Sequence, residues 1–161
     1  MATVQIAYGS ETALTWSGAI ASSTTAGRQS ATIDNTSTLA DDYELSVSIV
    51  FPNSAPANDS TVYLYAGGWF GSTNGWQGRP ALTGSDAAYT FNDITTTPSG
   101  LYLAQSCYMV QNTTGLFVVP SLATVFGGTI PAKIAFAVAN YSGQTITTFS
   151  ATYRAITYTI V

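Results

Sequence analysis

The sequence predicts an all-β protein, a single domain folded as an antiparallel β-sandwich with little or no helix. From Tyr43 to Phe51 every second residue is large and apolar, and most residues between them are small or polar. This alternation is typical of a half-buried strand that needs a second apolar surface. No segment of normal helix length repeats apolar residues at the helical period. Turn residues separate about eight strand candidates at the spacing of a two-sheet sandwich.

Length and composition agree with one domain that contains a sizeable core. The chain has 161 residues, of which 46% are hydrophobic, and it contains no internal repeat or shift in composition. No apolar run approaches the ~20 residues of a membrane-spanning helix, and the first residues lack the pattern of a signal peptide. We therefore expect neither a membrane span nor a secretory signal.

The first eight residues are expected to form either a short opening strand or an extended N-terminal arm, ahead of a sandwich domain at residues 9–161. Val4, Ile6 and Tyr8 alternate with smaller or polar residues and would share one face of that strand. Segment 17–30 is rich in Ser, Thr, Ala and Gly, which predicts a long surface loop or a weak edge strand.

The middle of the chain continues as strands. Pro52 ends the central strand, because proline cannot donate to the hydrogen-bond ladder. Segment 61–66 is apolar on both faces, which predicts burial on both sides or an aromatic-coated outer face. Segments 106–111 and 116–119 are predicted to form a hairpin, joined by a short loop that ends at Gly115.

The last third of the chain predicts one helical turn and two long strands. Ser121 is the expected N-cap of the turn, which two glycines close. Segment 130–140 is apolar on both faces and is expected to be central. Segment 146–161 changes the parity of its apolar residues near Arg154, which predicts a bulge or a kink. Taken together, the elements predict a jelly-roll-like sandwich.

Charge is scarce. Charged residues make up 7% of the chain, with four basic and eight acidic residues and a net charge of −4. The basic residues are scattered, which argues against a nucleic-acid partner. Such a composition fits a stable extracellular or virion surface, or a surface largely lost to subunit contacts, where charge is depleted. We prefer the second interpretation and expect a homo-oligomer.

Residue types argue against an enzyme. The chain has no histidine, the usual acid–base residue and the commonest metal ligand. Asp34, Asp41, Asp42 and Glu44 are the candidates for a carboxylate pair, but short acids beside turns commonly bind local backbone amides. Cys107, the only cysteine, is predicted to be a buried, inert thiol. We expect no catalytic residues, no metal and no cofactor.

Arg28 stands in a polar segment that otherwise carries no charge. An arginine among small residues often has a carboxylate partner. We hypothesise a structural ion pair between Arg28 and Asp34, Asp41 or Asp42 that would hold the loop to the central strand. A solvated side chain is the alternative.

Three aromatic residues, Trp69, Phe70 and Trp76, lie on a glycine-rich loop. They suggest an anchor for a partner, a cap over the open end of the sandwich, or a platform for sugar stacking. Sugar sites usually add converging amides or acids, for which only Asn74 and Gln77 qualify, so the first two interpretations are preferred.

Four Asn-x-Ser/Thr triplets match glycosylation acceptors, at Asn35, Asn58, Asn112 and Asn140. We attribute them to the Ser/Thr-rich composition.

Three segments carry a resemblance to a known family. They are Ala26–Ala31 running into Ile33–Asn35, then Asp41–Tyr43, and Val125–Lys133 followed by a hydrophobic strand to Asn140. Together they resemble small bacteriophage virion proteins related to jelly-roll capsid decoration (cement) proteins.

The resemblance implies a non-enzymatic protein of the virion, made in the host cytoplasm and seated on the capsid surface. It implies a homotrimer that stabilises the shell of major capsid protein, with residues 1–8 adding a strand to a neighbour through Val4 and Ile6. The alternative is a carbohydrate-binding module or phage fibre head, with Trp69 and Trp76 as platforms. Neither nucleic acid nor membrane is an expected partner.

Overall fold

The computed structural model describes residues 2–57, 60–71, 75–92 and 100–161. These ranges contain eleven strands and one short helix, which confirms the all-β prediction. The elements are β1 Val4–Tyr8, β2 Thr12–Leu14, β3 Ala26–Gln29, β4 Ile33–Asp34, β5 Asp42–Val50, β6 Thr61–Trp69, β7 Ala87–Thr90, β8 Tyr102–Tyr108, β9 Thr114–Val119, α1 Leu122–Val125, β10 Lys133–Tyr141 and β11 Thr148–Ile160.

The strands form two antiparallel sheets. The first sheet has the order β1-β11-β5-β9, with β2 also paired to β11. The second has the order β7-β3-β10-β6-β8, with β4 also paired to β10. The extra strands relative to the prediction include β2 and β4, which have three and two residues and pair with parts of longer strands. Segment 17–30 contains β3, which is not an edge strand because β7 pairs with its outer side.

The main core lies between the two sheets and confirms the alternation predicted for β5. Leu45, Val47 and Ile49 are buried, whereas the residues between them are partly exposed. From the second sheet, Leu64 and Phe136 enter the same core. Burial of such side chains is the main favourable term in folding.

A second apolar cluster covers the outer face of the second sheet. Tyr65, Tyr89 and Phe91 pack there over the small residues Ala135 and Ala137. Segment 61–66 is therefore buried on both sides, the first of its two predicted arrangements.

β10 has seven consecutive buried residues and pairs with β3 and β6, so the prediction of a central strand is confirmed.

The predicted hairpin of segments 106–111 and 116–119 is wrong. β8 pairs with β6 in the second sheet, and β9 pairs with β5 in the first. The connection thus carries the chain from one sheet to the other, because each strand pairs with a longer strand elsewhere.

The predicted helical turn is confirmed as α1, in which the Ser121 side chain accepts a hydrogen bond from the backbone N–H of Thr124.

Candidate functional site

The first and last strands form a two-stranded ribbon at one margin of the first sheet. β1 pairs with the end of β11 in a register that runs from Val4 opposite Ile160 to Tyr8 opposite Ile156. Residues directly opposite each other on antiparallel strands share a face. We call Val4–Tyr8 together with Ile156–Ile160 the terminal ribbon.

One face of the terminal ribbon is an apolar stripe. Its exposed members are Val4, Ile6, Tyr8, Tyr158 and Ile160, and Ile156, which is buried, lies at its base. Val4 is 58% exposed, Ile6 is 55% exposed and Ile160 is 75% exposed. A two-stranded ribbon is at best marginally stable in water, and a contiguous exposed apolar patch is typical of a binding surface. The stripe is therefore the strongest candidate for a partner-binding site among the described residues.

The stripe arises because the apolar residues of β11 change from odd to even positions along the strand. The bulge or kink that this change predicted is not present in β11. The register of β11 against β5 runs unbroken from Thr148 to Ile156. The irregularity lies in the opposite chain, which has one more residue than β11 between Tyr8 and Thr12. β11 therefore runs on regularly, and its apolar residues move from the core face to the outer face where the strand leaves its own core.

Charged side chains surround the base of the terminal ribbon. The Arg154 guanidinium lies 2.9 Å from the Glu44 carboxylate and 4.5 Å from the centre of the Tyr8 ring. The hydrogen bond to Glu44 is the largest cause that raises the pKa of Arg154. This cation holds Tyr8, the last residue of β1, against the body of the sheet.

Asp41 and Asp42 also lie at the base of the ribbon. The Asp41 carboxylate accepts a hydrogen bond of 2.7 Å from the backbone N–H of Tyr158. Asp42 is buried and accepts from the N–H groups of Tyr43 and Ala123. Desolvation, followed by the negative charge of Asp42, raises the pKa of Tyr158. The structure thus joins Asp41 to the C-terminal strand β11 and Asp42 to the start of α1, links that the sequence did not reveal.

The hypothesis that Arg28 pairs with Asp34, Asp41 or Asp42 is wrong. The Arg28 guanidinium lies 2.7 Å from Asp86, with the two side chains 20% and 15% exposed. Asp34 instead pairs with Lys133 at 3.3 Å. The cause is topological, because Arg28 on β3 lies opposite Ala88 on β7, whose preceding residues bring Asp86 alongside.

The Arg28–Asp86 pair predicts a specific acid sensitivity. Burial raises the pKa of Asp86, but hydrogen bonds from Ser17 and Arg28 outweigh it, so the pKa lies below its ordinary value. A lowered folded-state pKa stabilises the protein above the unfolded-state value, about 3.9, and that stability disappears as the pH falls through the folded-state pKa. Asp86→Asn should therefore lower the free energy of unfolding by about 1–2 kcal/mol at neutral pH and by less below about pH 4.

Urea denaturation of the wild type and of Asp86→Asn, each at neutral pH and at acidic pH, measures this difference in the free energy of unfolding. Glu11→Gln, which neutralises an exposed carboxylate, is the control and should cost little at neutral pH. A deficit for Asp86→Asn that stays the same at acidic pH would contradict the assignment.

The three aromatic residues assigned from the sequence to the glycine-rich loop have different surroundings, because Trp69 is the last residue of β6 and forms an isolated antiparallel bridge with Trp76. Trp76 is partly buried against the second apolar cluster, which favours the capping interpretation for this residue. The Lys133 ammonium lies 5.2 Å from the centre of the Trp69 ring. Phe70 remains 52% exposed. Asn74, one of the two polar candidates, lies outside the described residues.

An open cleft with a mixed aromatic and polar lining lies next to Trp76. It has a volume of about 420 Å³ and is lined by Trp76, Gln77, Gly78, Arg79 and Gly100. The side-chain oxygen of Gln77 already accepts a hydrogen bond from the N–H of Gly68. An aromatic ring beside a guanidinium is a combination that can stack on and hydrogen-bond to a sugar.

Burial raises the pKa of the Cys107 thiol to about 11. At neutral pH the sulfur is therefore protonated and a poor nucleophile. Among the described residues, no three Cys, Asp or Glu side chains come together in a group that could hold a metal ion.

Comparison of the chain with protein-family models, with curated proteins and with solved structures finds no match. In the described part of the chain, no helix has the length and apolar character needed to cross a bilayer.

Proposed function

We propose that this chain is a non-enzymatic structural protein of a bacteriophage particle, a capsid decoration protein that stabilises the shell of major capsid protein. The observation that carries the proposal is the exposed apolar stripe of the terminal ribbon. The resemblance of three sequence segments to virion proteins supplies the kind of partner.

The terminal ribbon suits attachment to a larger surface. β1 is not the separate arm considered from the sequence, because it is the first strand of its own sheet and pairs with β11. Its other side is the margin of that sheet and can accept a strand from a neighbour. Val4 and Ile6 then contribute side-chain anchors next to the backbone hydrogen bonds.

The charges at the base of the ribbon specify the partner further. Glu11, Asp41, Asp42 and Glu44 all lie near this end of the first sheet, where Arg154 is the neighbouring cation. The ribbon therefore fits an apolar cleft with a basic rim, because complementary charge at the rim favours the encounter.

The strand orders support the jelly-roll part of the proposal. With β2, β4 and β7 set aside, the strands form two facing sets, β1-β11-β5-β9 and β3-β10-β6-β8, and the chain crosses between the sheets at every connection except the one from β6 to β8. The homotrimer and the capsid-surface location complete the proposal, and both follow from the resemblance.

Attachment to empty phage shells tests the function. Ile6→Lys and Ile160→Lys each place a cation in the apolar stripe, and each should weaken co-sedimentation with shells at least tenfold while leaving the fold intact, since both residues are exposed. Val50→Lys is the matched control, because Val50 is a 46% exposed apolar residue at the far end of the same sheet.

Deleting residues 1–8 should abolish attachment, with the circular dichroism spectrum of the sandwich retained. Attachment of the wild type should also weaken as salt concentration rises. Unchanged attachment of the truncated protein and of both lysine variants would refute the proposal.

Glycan binding is a second candidate, and the cleft beside Trp76 favours it. Arg79→Ala is the cleaner variant, because Trp76 also packs against the second apolar cluster. Binding on a glycan array that disappears in Arg79→Ala and in Trp76→Ala would favour a carbohydrate-binding module or fibre head over a decoration protein.

A further inference from the structure

The charges of this chain are distributed very unevenly. Residues 100–132 contain no Asp, Glu, Lys or Arg. Most of this segment forms β8, β9 and α1, which lie on one side of the sandwich. We call these three elements the uncharged edge.

Both sheets end at the uncharged edge. β9 is the last strand of the first sheet, and β8 is the last strand of the second. A groove of about 440 Å³ lies between them, lined by Leu103–Gln105, Val118–Ser121, Thr124 and Val125. The terminal ribbon lies at the opposite margin of the first sheet, so the two surfaces are separate.

The two strands beside this groove expose apolar side chains. Leu116 is 60% exposed and Val118 is 40% exposed, and both lie on the outer face of β9 opposite serines of β5. On β8, Leu103 is 56% exposed and Tyr108 is 74% exposed. These side chains extend the apolar surface over the ends of both sheets.

The β9 edge lacks the devices that usually prevent edge-to-edge association. Natural edge strands are commonly protected by charged side chains, by proline or by a bulge. β9 has no charged residue and no proline between Thr114 and Val119, and its register with β5 is regular. β8 has one register shift, between the residues paired with Leu64 and Tyr65, but no charge.

We infer that the uncharged edge is the surface through which copies of this chain associate with one another, edge against edge. The charge of the chain indicates that the partner at this edge is a second copy of the same chain. The chain carries a net charge of −4, and all of its charged residues lie outside residues 100–132. Two copies carry the same net negative charge and can meet at this edge without bringing the charged residues of either copy together, and the core of a protein interface is depleted of charge.

A partner of different chemistry is the less favoured occupant, because the edge offers no charge to select it. By contrast, the terminal ribbon, with its acidic base, fits a basic partner better than a second acidic copy. The inference goes beyond capsid attachment and holds whether or not the protein binds a shell.

Sedimentation velocity and native mass spectrometry of the purified full-length protein test the inference. The wild type should be an oligomer, and Val118→Lys should raise its dissociation constant about 100-fold or more, since symmetric copies would bring lysines together. Leu116→Lys is a second variant with the same expectation. Ile160→Lys, on the terminal ribbon, is the matched control and should leave the oligomer intact.

Mixing Val118→Lys with Val118→Asp distinguishes contact between two such edges from contact with another surface. Opposite charges at matching positions should give more oligomer in the mixture than in either variant alone, and no gain in the mixture would contradict contact between two such edges. A wild type that is monomeric at its highest soluble concentration would overturn the inference. So would an oligomer unaffected by both lysine variants, or one lost equally in Ile160→Lys.

Discussion

Phe136→Ala should lower the free energy of unfolding by about 3–5 kcal/mol, the usual cost of removing a buried phenylalanine ring. Phe136 lies in the middle of β10, is completely buried and stacks on Trp16 with ring centres 6.3 Å apart. The residues around Phe136 belong to both sheets, so they cannot fill the cavity left by its ring unless whole strands move. Differential scanning calorimetry should show a midpoint lower by roughly 6–20 °C for a chain of this size.

Phe70→Ala is the matched control, because it removes the same ring from a site that is 52% exposed. It should cost less than about 1 kcal/mol. If the two variants lost equal stability, Phe136 would not occupy the centre of the packed core.

Asn140→Ala should cost about 3 kcal/mol or more, although it removes only a small amide. Asn140 is completely buried, and its nitrogen donates to the backbone carbonyls of Ile20 at 2.9 Å and Gln144 at 2.6 Å. Its oxygen accepts from the N–H and the hydroxyl of Ser142. Each buried partner left without a hydrogen bond costs roughly 1–3 kcal/mol.

Urea denaturation measures this loss, with Asn140→Asp as the decisive comparison. Aspartate keeps the volume of asparagine but presents an oxygen to the two carbonyls, so it should destabilise at least as much as alanine does. Gln144→Ala removes one exposed hydrogen bond to Ala55 and should cost less than about 1 kcal/mol. A tolerated Asn140→Asp would show that packing, not hydrogen bonding, makes Asn140 important.

Asn140 also shows how a sequence motif loses its usual meaning in the fold. Asn35 and Asn140 both match a glycosylation triplet, yet both side chains are buried. The Asn35 oxygen accepts from the N–H of Ala40 and the hydroxyl of Tyr43, so this residue fixes the turn before β5. Asn58 lies outside the described residues.

Patterns local to one strand predicted most of the fold. Alternation in β5 identified its buried face, and apolar residues on both faces of β10 identified a central strand, because burial of each side leaves its own periodicity. The Ser121 cap was predictable for the same reason, since its partner Thr124 is three residues away.

Features that join distant segments could not be predicted in this way. Arg28 pairs with Asp86 and not with the three predicted acids, because β3 and β7 happen to be neighbours in the second sheet. β8 and β9 go to different sheets although a turn joins them. The parity change near the end of β11 was visible in the sequence, but only the unbroken register with β5 distinguishes an outward apolar stripe from a bulge in that strand.

The sequence by itself therefore determined the class of fold, the buried faces of its longest strands, the absence of imidazole and the scarcity of charge. Only the tertiary structure decided which acid meets Arg28 and which apolar residues stay outside the core. Periodicity depends on neighbours along the chain, whereas ion pairs and exposed stripes depend on which strands lie side by side, and that order arises only when the two sheets assemble.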